Sequence, residues 1–224
     1  KGKKVGTYGH SSNFSFYFAH HMSTIEGGMV CTNDEKFYQV CRALRSHGMM
    51  REMTDESMKQ EIIESNPDLN KDFIFIHPAH NFRSTELNAV LGSSQLKNLT
   101  KNNEIRKVNF NRFIRMVSKY PNLLFANYKE EGNSSFCFPF ICKTPEIKNQ
   151  LEKYLSDNGV ETRPLCSGNL LRQPFLIKDD KIPSPDRFPI AEALHNNGFF
   201  IGNNHMITEE DWVKLETLLE NYGK

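Results

Sequence analysis

The chain's 224 residues are enough to bury a sizeable core, in one large domain or two modest ones. Its 28 Lys and Arg nearly balance 27 Asp and Glu. The resulting net charge of +1 excludes the broad basic field of a nucleic-acid binder and the polybasic anchor of a peripheral membrane protein. At 38% hydrophobic and 25% charged residues the composition is that of an ordinary globular protein, and no apolar run approaches the ~20 residues of a bilayer span.

The opening "KGKKVGTYGH" leads into serines and not into an apolar stretch, so no signal peptide is expected. The five cysteines (Cys31, Cys41, Cys137, Cys142, Cys166) are odd in number and lack any CxxC spacing. That pattern speaks against a disulfide framework or a metal knuckle, and for reduced thiols in a cytoplasmic protein.

In chain order, residues 13–18 and 28–32 read as short aromatic and apolar strands, with a turn carrying His20-His21 between them. Asn33 or Asp34 offers an N-cap, and Phe37, Val40, Cys41 and Leu44 then recur at helical spacing until Gly48. Periodicity fades over 49–80, a length of irregular chain that is often functional. A helix is expected from Ser84 to Leu99 with Leu87, Val90 and Leu91 on one face. A second, over 102–119, would turn Ile105, Val108, Phe113, Met116 and Tyr120 to the core.

"SSFCFPFICK" (134–143) reads as a strand. Thr144-Pro145 starts a helix that Gly159 ends, and "VETRPL" is a further strand. An irregular proline-rich stretch runs to Pro189. A helix near 186–196, a strand "GFFIG" and a helix opened by Thr208 with Asp211 complete a small α/β layer.

Two adjacent histidines on a strand would face opposite sides, which argues against one shared metal; no metal site is expected. In isolation the pair reads as one hydrogen-bonded core imidazole and one solvated one. The surrounding residues say more. "GTYGHSSNFSFYFAHHMSTIEGGMVCTNDE", "LRSHGM", "HNFRSTELNAVLGSSQL" and "GVETRPL" together resemble the DegT/DnrJ/EryC/StrS family of pyridoxal-phosphate-dependent sugar aminotransferases and dehydratases. The likeness runs over nearly the whole chain. It implies an α/β fold of the fold-type I class: residues 1–99 as the end of the large cofactor-binding domain with a substrate loop and connecting helix, and 100–224 as the small C-terminal domain.

In the family's aminotransferases, the residue six before the glutamate of the E-G-G turn is a lysine that binds the cofactor covalently. Here it is His20, six before Glu26. An imidazole cannot make that link, so pyridoxal 5'-phosphate or its pyridoxamine form would be held by contacts alone. The swap is that of the family's sugar 3-dehydratases, most like the GDP-sugar branch. An imidazole can take and return a proton near neutral pH, so His20 is the expected acid/base. The resemblance implies L-glutamate as amino donor, a nucleotide-linked 4-keto-6-deoxy sugar as substrate, and a place in deoxysugar and lipopolysaccharide O-antigen biosynthesis. It carries Ser15 to the cofactor phosphate, and Asn81 to the phosphate of a neighbouring subunit's cofactor, hence a homodimer with shared active sites. His47, Arg51 and Arg83 match contacts to substrate and to the glutamate carboxylate, for which the arginine fork is suited. Glu161 and Arg163 match positions near the substrate pocket.

By strand alternation His21 would face away from His20 in a structural role. "GNLLRQPFL" resembles a CDP-linked sugar 3-dehydrase branch, the runner-up. A sugar aminotransferase is disfavoured by the missing lysine, and a non-catalytic relic or assembly module is the reading from another class. The family's phosphate loop and the aspartate that pairs with the pyridine nitrogen would precede Lys1. Activity is therefore expected of a full-length parent and not of this segment alone.

Overall fold

The computed structural model describes residues 2–177 and 182–223. The chain divides into two compact units, Lys1–Asn98 and Leu99–Lys224, and each has its own apolar core.

In the first unit, β1 (Ser11–Ser15) and β2 (Gly28–Thr32) pair antiparallel, with Ser11 opposite Thr32 and Ser15 opposite Gly28. The strand expected over 13–18 is therefore displaced. The ladder closes at Ser15; Phe16 N–H then donates to Gly27 O at 2.9 Å and Thr24 N–H to Phe16 O at 2.8 Å, so the chain turns away. His20 and His21 lie in that turn, and strand alternation does not govern where His21 faces.

α1 (Glu35–Leu44) begins where the sequence placed it, because Asp34 Oδ1 accepts the Phe37 N–H at 2.9 Å. Its fully buried positions are Gln39 and Ala43, while Leu44, expected on the core face, is exposed. Gln39 tolerates burial because its amide is satisfied: Nε2 donates to Glu35 and Thr54 Oγ1, and Oε1 accepts from Thr54 N.

Residues 49–80 are more ordered than the sequence suggested. They hold a 3-10 turn (Met50–Glu52), the helix α2 (Glu56–Ser65) capped by Asp55, and a second 3-10 turn (Lys71–Phe73). Only Met58, Ile62 and Ile63 of α2 pack against the small core of Ala43, Met50, Met53 and Ile74. Three apolar side chains in one short helix leave no legible stripe.

The two helices expected after residue 84 are one, α3 (Glu86–Val117), since no Gly or Pro interrupts residues 93–117. Its residues to Asn98 belong to the first unit, where Leu87 and Val90 are exposed. In the second unit Phe110, Phe113, Met116 and Val117 are buried, as are Arg106 and Asn109, whereas Val108 is exposed. The buried face is thus rotated from the expected one by polar anchoring. Arg106 Nη1 donates to Asn203 O, Asn203 Nδ2 donates to Arg106 O at 3.0 Å, and Asn109 Nδ2 donates to Asn203 Oδ1 at 3.3 Å.

The second unit carries a four-stranded, wholly antiparallel sheet of β3 (Leu124–Phe125), β4 (Cys137–Cys142), β5 (Thr162–Pro164) and β6 (Gly198–Gly202), in the order β3-β4-β6-β5. Its helices are α4 (Pro145–Asp157), α5 (Pro174–Ile177), α6 (Pro189–Asn197) and α7 (Glu209–Tyr222). Thr144 caps α4 ahead of Pro145, and Thr208 with Asp211 forms a reciprocal capping box on α7. Within the proline-rich stretch before Pro189, residues 178–181 lie outside the described residues.

Alternation along β4 buries Phe138, Phe140 and Cys142. Phe140 stacks on its cross-strand partner Phe199 at 5.0 Å, and Phe113 of α3 stacks on Phe138 at 5.0 Å. Burial there pushes the Cys142 thiol up to about 12. Residues 169–172 are tied to α6 by Glu192, whose Oε1 accepts from Asn169 Nδ2 at 2.6 Å and from Arg172 Nε at 2.9 Å. The hydrogen bond from Arg172 draws that carboxyl down from 4.5 to about 2 against desolvation, the next-largest effect, and Asn169 adds a lesser downward pull.

Phe113 is fully buried, so Phe113→Ala is expected to destabilise the second unit by about 3–5 kcal/mol, read by urea unfolding followed at Trp212. Glu192's depressed carboxyl contributes stability that is complete above pH 4.5 and lost as pH falls through about 2. The melting-temperature gap between the native protein and Glu192→Gln should therefore close across that window; a gap that persists at pH 2 contradicts the assignment.

Candidate active site

Ser15 ends β1, and its Oγ accepts the Tyr17 N–H at 3.3 Å. His20 follows in the turn, its N–H bonded to Tyr17 O at 3.0 Å and its ring edge-on to Tyr17 with centroids 6.1 Å apart. His20 is exposed and His21 half-buried.

The return of this turn is fixed by two amide side chains of α3. Gln95 Nε2 donates to Ser23 O at 2.7 Å, and its Oε1 accepts the Ser23 N–H at 2.9 Å. Asn88 Nδ2 donates to Thr24 O at 2.9 Å and to Glu26 O at 3.2 Å. Thr24, buried, adds its own hydroxyl bond to Glu26 O at 2.7 Å. Glu26 thus braces the turn through its carbonyl. Neither amide was singled out from the sequence, although a spacing of seven residues places Asn88 and Gln95 on one helix face. The turn is strained: Ile25 has φ 72°, a left-handed conformation that β-branched residues avoid, and its side chain is exposed. Such an outlier persists where neighbours over-determine it, as the two amides do here.

A second group forms where residues 45–52 meet 80–83. Ser46 and Asn81 make an isolated β-bridge, His47 N–H donates to His80 O at 2.8 Å, and Phe82 N–H donates to Arg45 O at 2.7 Å. His47 is also left-handed, at φ 60°. Gly48 follows at φ 75°, where any Cβ would sit 1.9 Å from His77 O; only glycine fits. His47 lines an open cleft of about 460 Å³ with Phe75, Ile76, His77, Pro78 and Ala79. Asn81 Oδ1 accepts from Arg83 N at 3.3 Å and Arg83 Nε at 3.4 Å. Arg51 lies over the Phe73 ring at 5.4 Å, a cation–π contact. Glu52, also missed from the sequence, comes within 3.8 Å of Arg51 and 4.0 Å of Arg83.

The structure thus brings His47, Arg51, Asn81 and Arg83 together, and sets Ser15 and His20 at one hairpin end of the same unit. Glu161 and Arg163 belong to the second unit, where they pair with each other with both side chains mostly exposed. Such a pair adds little to stability.

The DegT/DnrJ/EryC1/StrS aminotransferase family model matches residues 1–217. The chain belongs to that family. Among its relatives, GDP-4-keto-6-deoxy-D-mannose 3-dehydratase of Escherichia coli is 32% identical over 217 residues, covering 95% of this chain and 55% of the relative. The solved structure of the E. coli enzyme with bound hydrated PLP superposes with a TM-score of 0.81 at 28% identity, over 97% of this chain and 56% of that one. A structure of GDP-4-keto-6-deoxymannose-3-dehydratase with a trapped PLP-glutamate geminal diamine gives 0.76 at 27%, over 96% and 56%. The family member described here therefore spans about half the length of the relatives it matches. Among the described residues, no helix is long and apolar enough to cross a membrane.

Ile25→Gly relieves the left-handed strain at the cost of glycine's backbone entropy, a net gain of about 0.5–1 kcal/mol. Thermal melts should show the variant more stable than the native protein; an unchanged or lower melting temperature contradicts the strain assignment.

Proposed function

We propose that this chain carries the acid/base of a pyridoxal-phosphate-dependent 3-dehydratase acting on a GDP-linked 4-keto-6-deoxy sugar, with L-glutamate as amino donor. One observation carries the reading. The residue six before Glu26, a lysine in the aminotransferases that the chain resembles, is His20, held in a turn clamped by Asn88 and Gln95. Similarity to 3-dehydratases, one of them caught with a PLP-glutamate adduct, supports it.

The donors present fit the cofactor. Ser15 offers a hydroxyl at the exposed end of β1, and Asn81, whose Oδ1 is engaged by Arg83, offers its Nδ2 amide; both suit a phosphate. In this reading Asn81 serves the cofactor of a second subunit, making the active protein a homodimer. The bound cofactor would supply an electron sink. His20 would make no covalent bond to it; a ring nitrogen would take the proton of the cofactor's C4′ carbon and give it to the departing C3 hydroxyl, which leaves as water. Arg51 and Arg83, two forked cations in one cluster, hold the donor's carboxylate, and His47 lines the cleft beside them. Glu161 and Arg163 of the second unit are assigned to the sugar nucleotide by the family resemblance. A cytoplasmic setting belongs to this reading, in keeping with five free thiols.

The test uses the full polypeptide with pyridoxal phosphate, L-glutamate and either the GDP- or the CDP-linked 4-keto-6-deoxy sugar. A 3-deoxy product with ammonia release, from the GDP sugar in preference, is expected; an amino sugar contradicts dehydration. His20→Asn should lower kcat by about 10²–10⁴-fold while cofactor absorbance shows binding retained. Full activity in that variant removes His20 from the role.

A further inference from the structure

Glu52 is the one carboxylate among the described residues that is paired with the arginine cluster, and its placement is unusual. Its side chain is only 18% exposed, against 42% for Arg51 and 48% for Arg83. A single oxygen, Oε1, faces both cations, at 3.8 Å from Arg51 Nε and 4.0 Å from Arg83 Nη1. These distances lie within ion-pair range but beyond hydrogen bonding, so the guanidinium N–H groups are not committed to Glu52. Nor does Glu52 hold the arginines in place. Arg51 rests over Phe73, and Arg83 is tethered through Nε to Asn81 Oδ1. Glu52 itself is fixed from behind, since its backbone carbonyl accepts Arg42 Nε at 2.6 Å.

The three side chains sum to one net positive charge, and the guanidinium donors other than Arg83 Nε are left for a ligand. We infer that Glu52 is a resident counter-charge that weakens the grip of Arg51 and Arg83 on an incoming carboxylate. The inference rests on the proposed function and adds regulation of affinity to it. The amino donor and the keto acid left after amino transfer carry the same carboxylates, so an undiluted pair of arginines would retain the product. Glu52 acts through the two arginines and touches no reacting atom. Its removal is therefore expected to tighten binding and slow release, where removal of a positioning contact would loosen binding.

The experiment titrates the full, cofactor-bound polypeptide by calorimetry with glutarate, a dicarboxylate with no amino group to transfer, and separately with GDP. Glu52→Gln should lower the glutarate Kd by about three- to tenfold, the scale of one solvent-screened charge at this range. Glu52→Asp, whose shorter side chain withdraws the charge, should lower it by less. In parallel, KM for L-glutamate should fall in Glu52→Gln while kcat falls or stays level. Glu61→Gln, exposed on α2, serves as the control with native values. Unchanged or weaker glutarate binding in both Glu52 variants overturns the inference, as does tightening confined to GDP. If glutamate fails to aminate the native protein's cofactor, the proposed function fails, and the glutarate titration still reads the clamp by itself.

Discussion

Two side-chain amides on one face of α3 grip the backbone of residues 23–26, and the candidate chemistry depends on that grip. A turn bonded through its own peptide groups is insensitive to the side chains it displays. It can therefore carry a strained Ile25, and a histidine in place of a lysine, without losing its path. At its other end the turn is tied by the His20 N–H to Tyr17 O, and Phe16 bonds to both Gly27 and Thr24. The imidazole is thus set on a backbone fixed at entry and at exit. Preorganisation of this kind would leave little reorganisation to be made in the proposed proton transfer.

The two units are built on different physics. The second is a stacked aromatic core, Phe113 on Phe138 and Phe140 on Phe199, where apolar burial and ring geometry act together. The first has a small core of buried Ala43, Met50, Met53 and Ile74 and relies on hydrogen-bonded crossings: Ser46 with Asn81, Met49 with Phe75, and Gln39 of α1 with residues 54 and 55. Most of the candidate site residues lie in the first, hydrogen-bonded unit, since loops hold side chains that a helix or strand ladder would turn inward.

Electrostatics at the arginine cluster follow the same economy. Each guanidinium has a neutral support, Phe73 for Arg51 and Asn81 for Arg83, which leaves its charge available. The nearby Glu52 stays outside hydrogen-bond distance. By contrast Arg112 of the second unit is spent on structure. Its hydrogen bonds to Glu209 and Glu216 hold its own proton more tightly, and it covers Trp212 at 4.8 Å. Residue type alone does not separate these two uses of arginine; the partners do.

By itself the sequence determined the family, through ordered motifs whose spacing survives in one dimension, and the secondary elements whose signals are local. Asp34, Thr144-Pro145 and the Thr208–Asp211 box each start a helix where expected, because capping involves residues two or three apart. The histidine in place of lysine is likewise a one-dimensional fact. Only the tertiary structure decided that α3 is one helix with Arg106 and Asn109 inward, and that residues 56–65 are helical. It also decided that Asn88, Gln95 and Glu52 reach their partners. The polar placements depend on groups tens of residues away: hydrogen bonds to Asn203 for Arg106 and to Ser23 for Gln95, and an ion-pair contact with Arg83 for Glu52. Periodicity reports apolar burial, and a polar side chain satisfied by a distant backbone leaves no periodic trace.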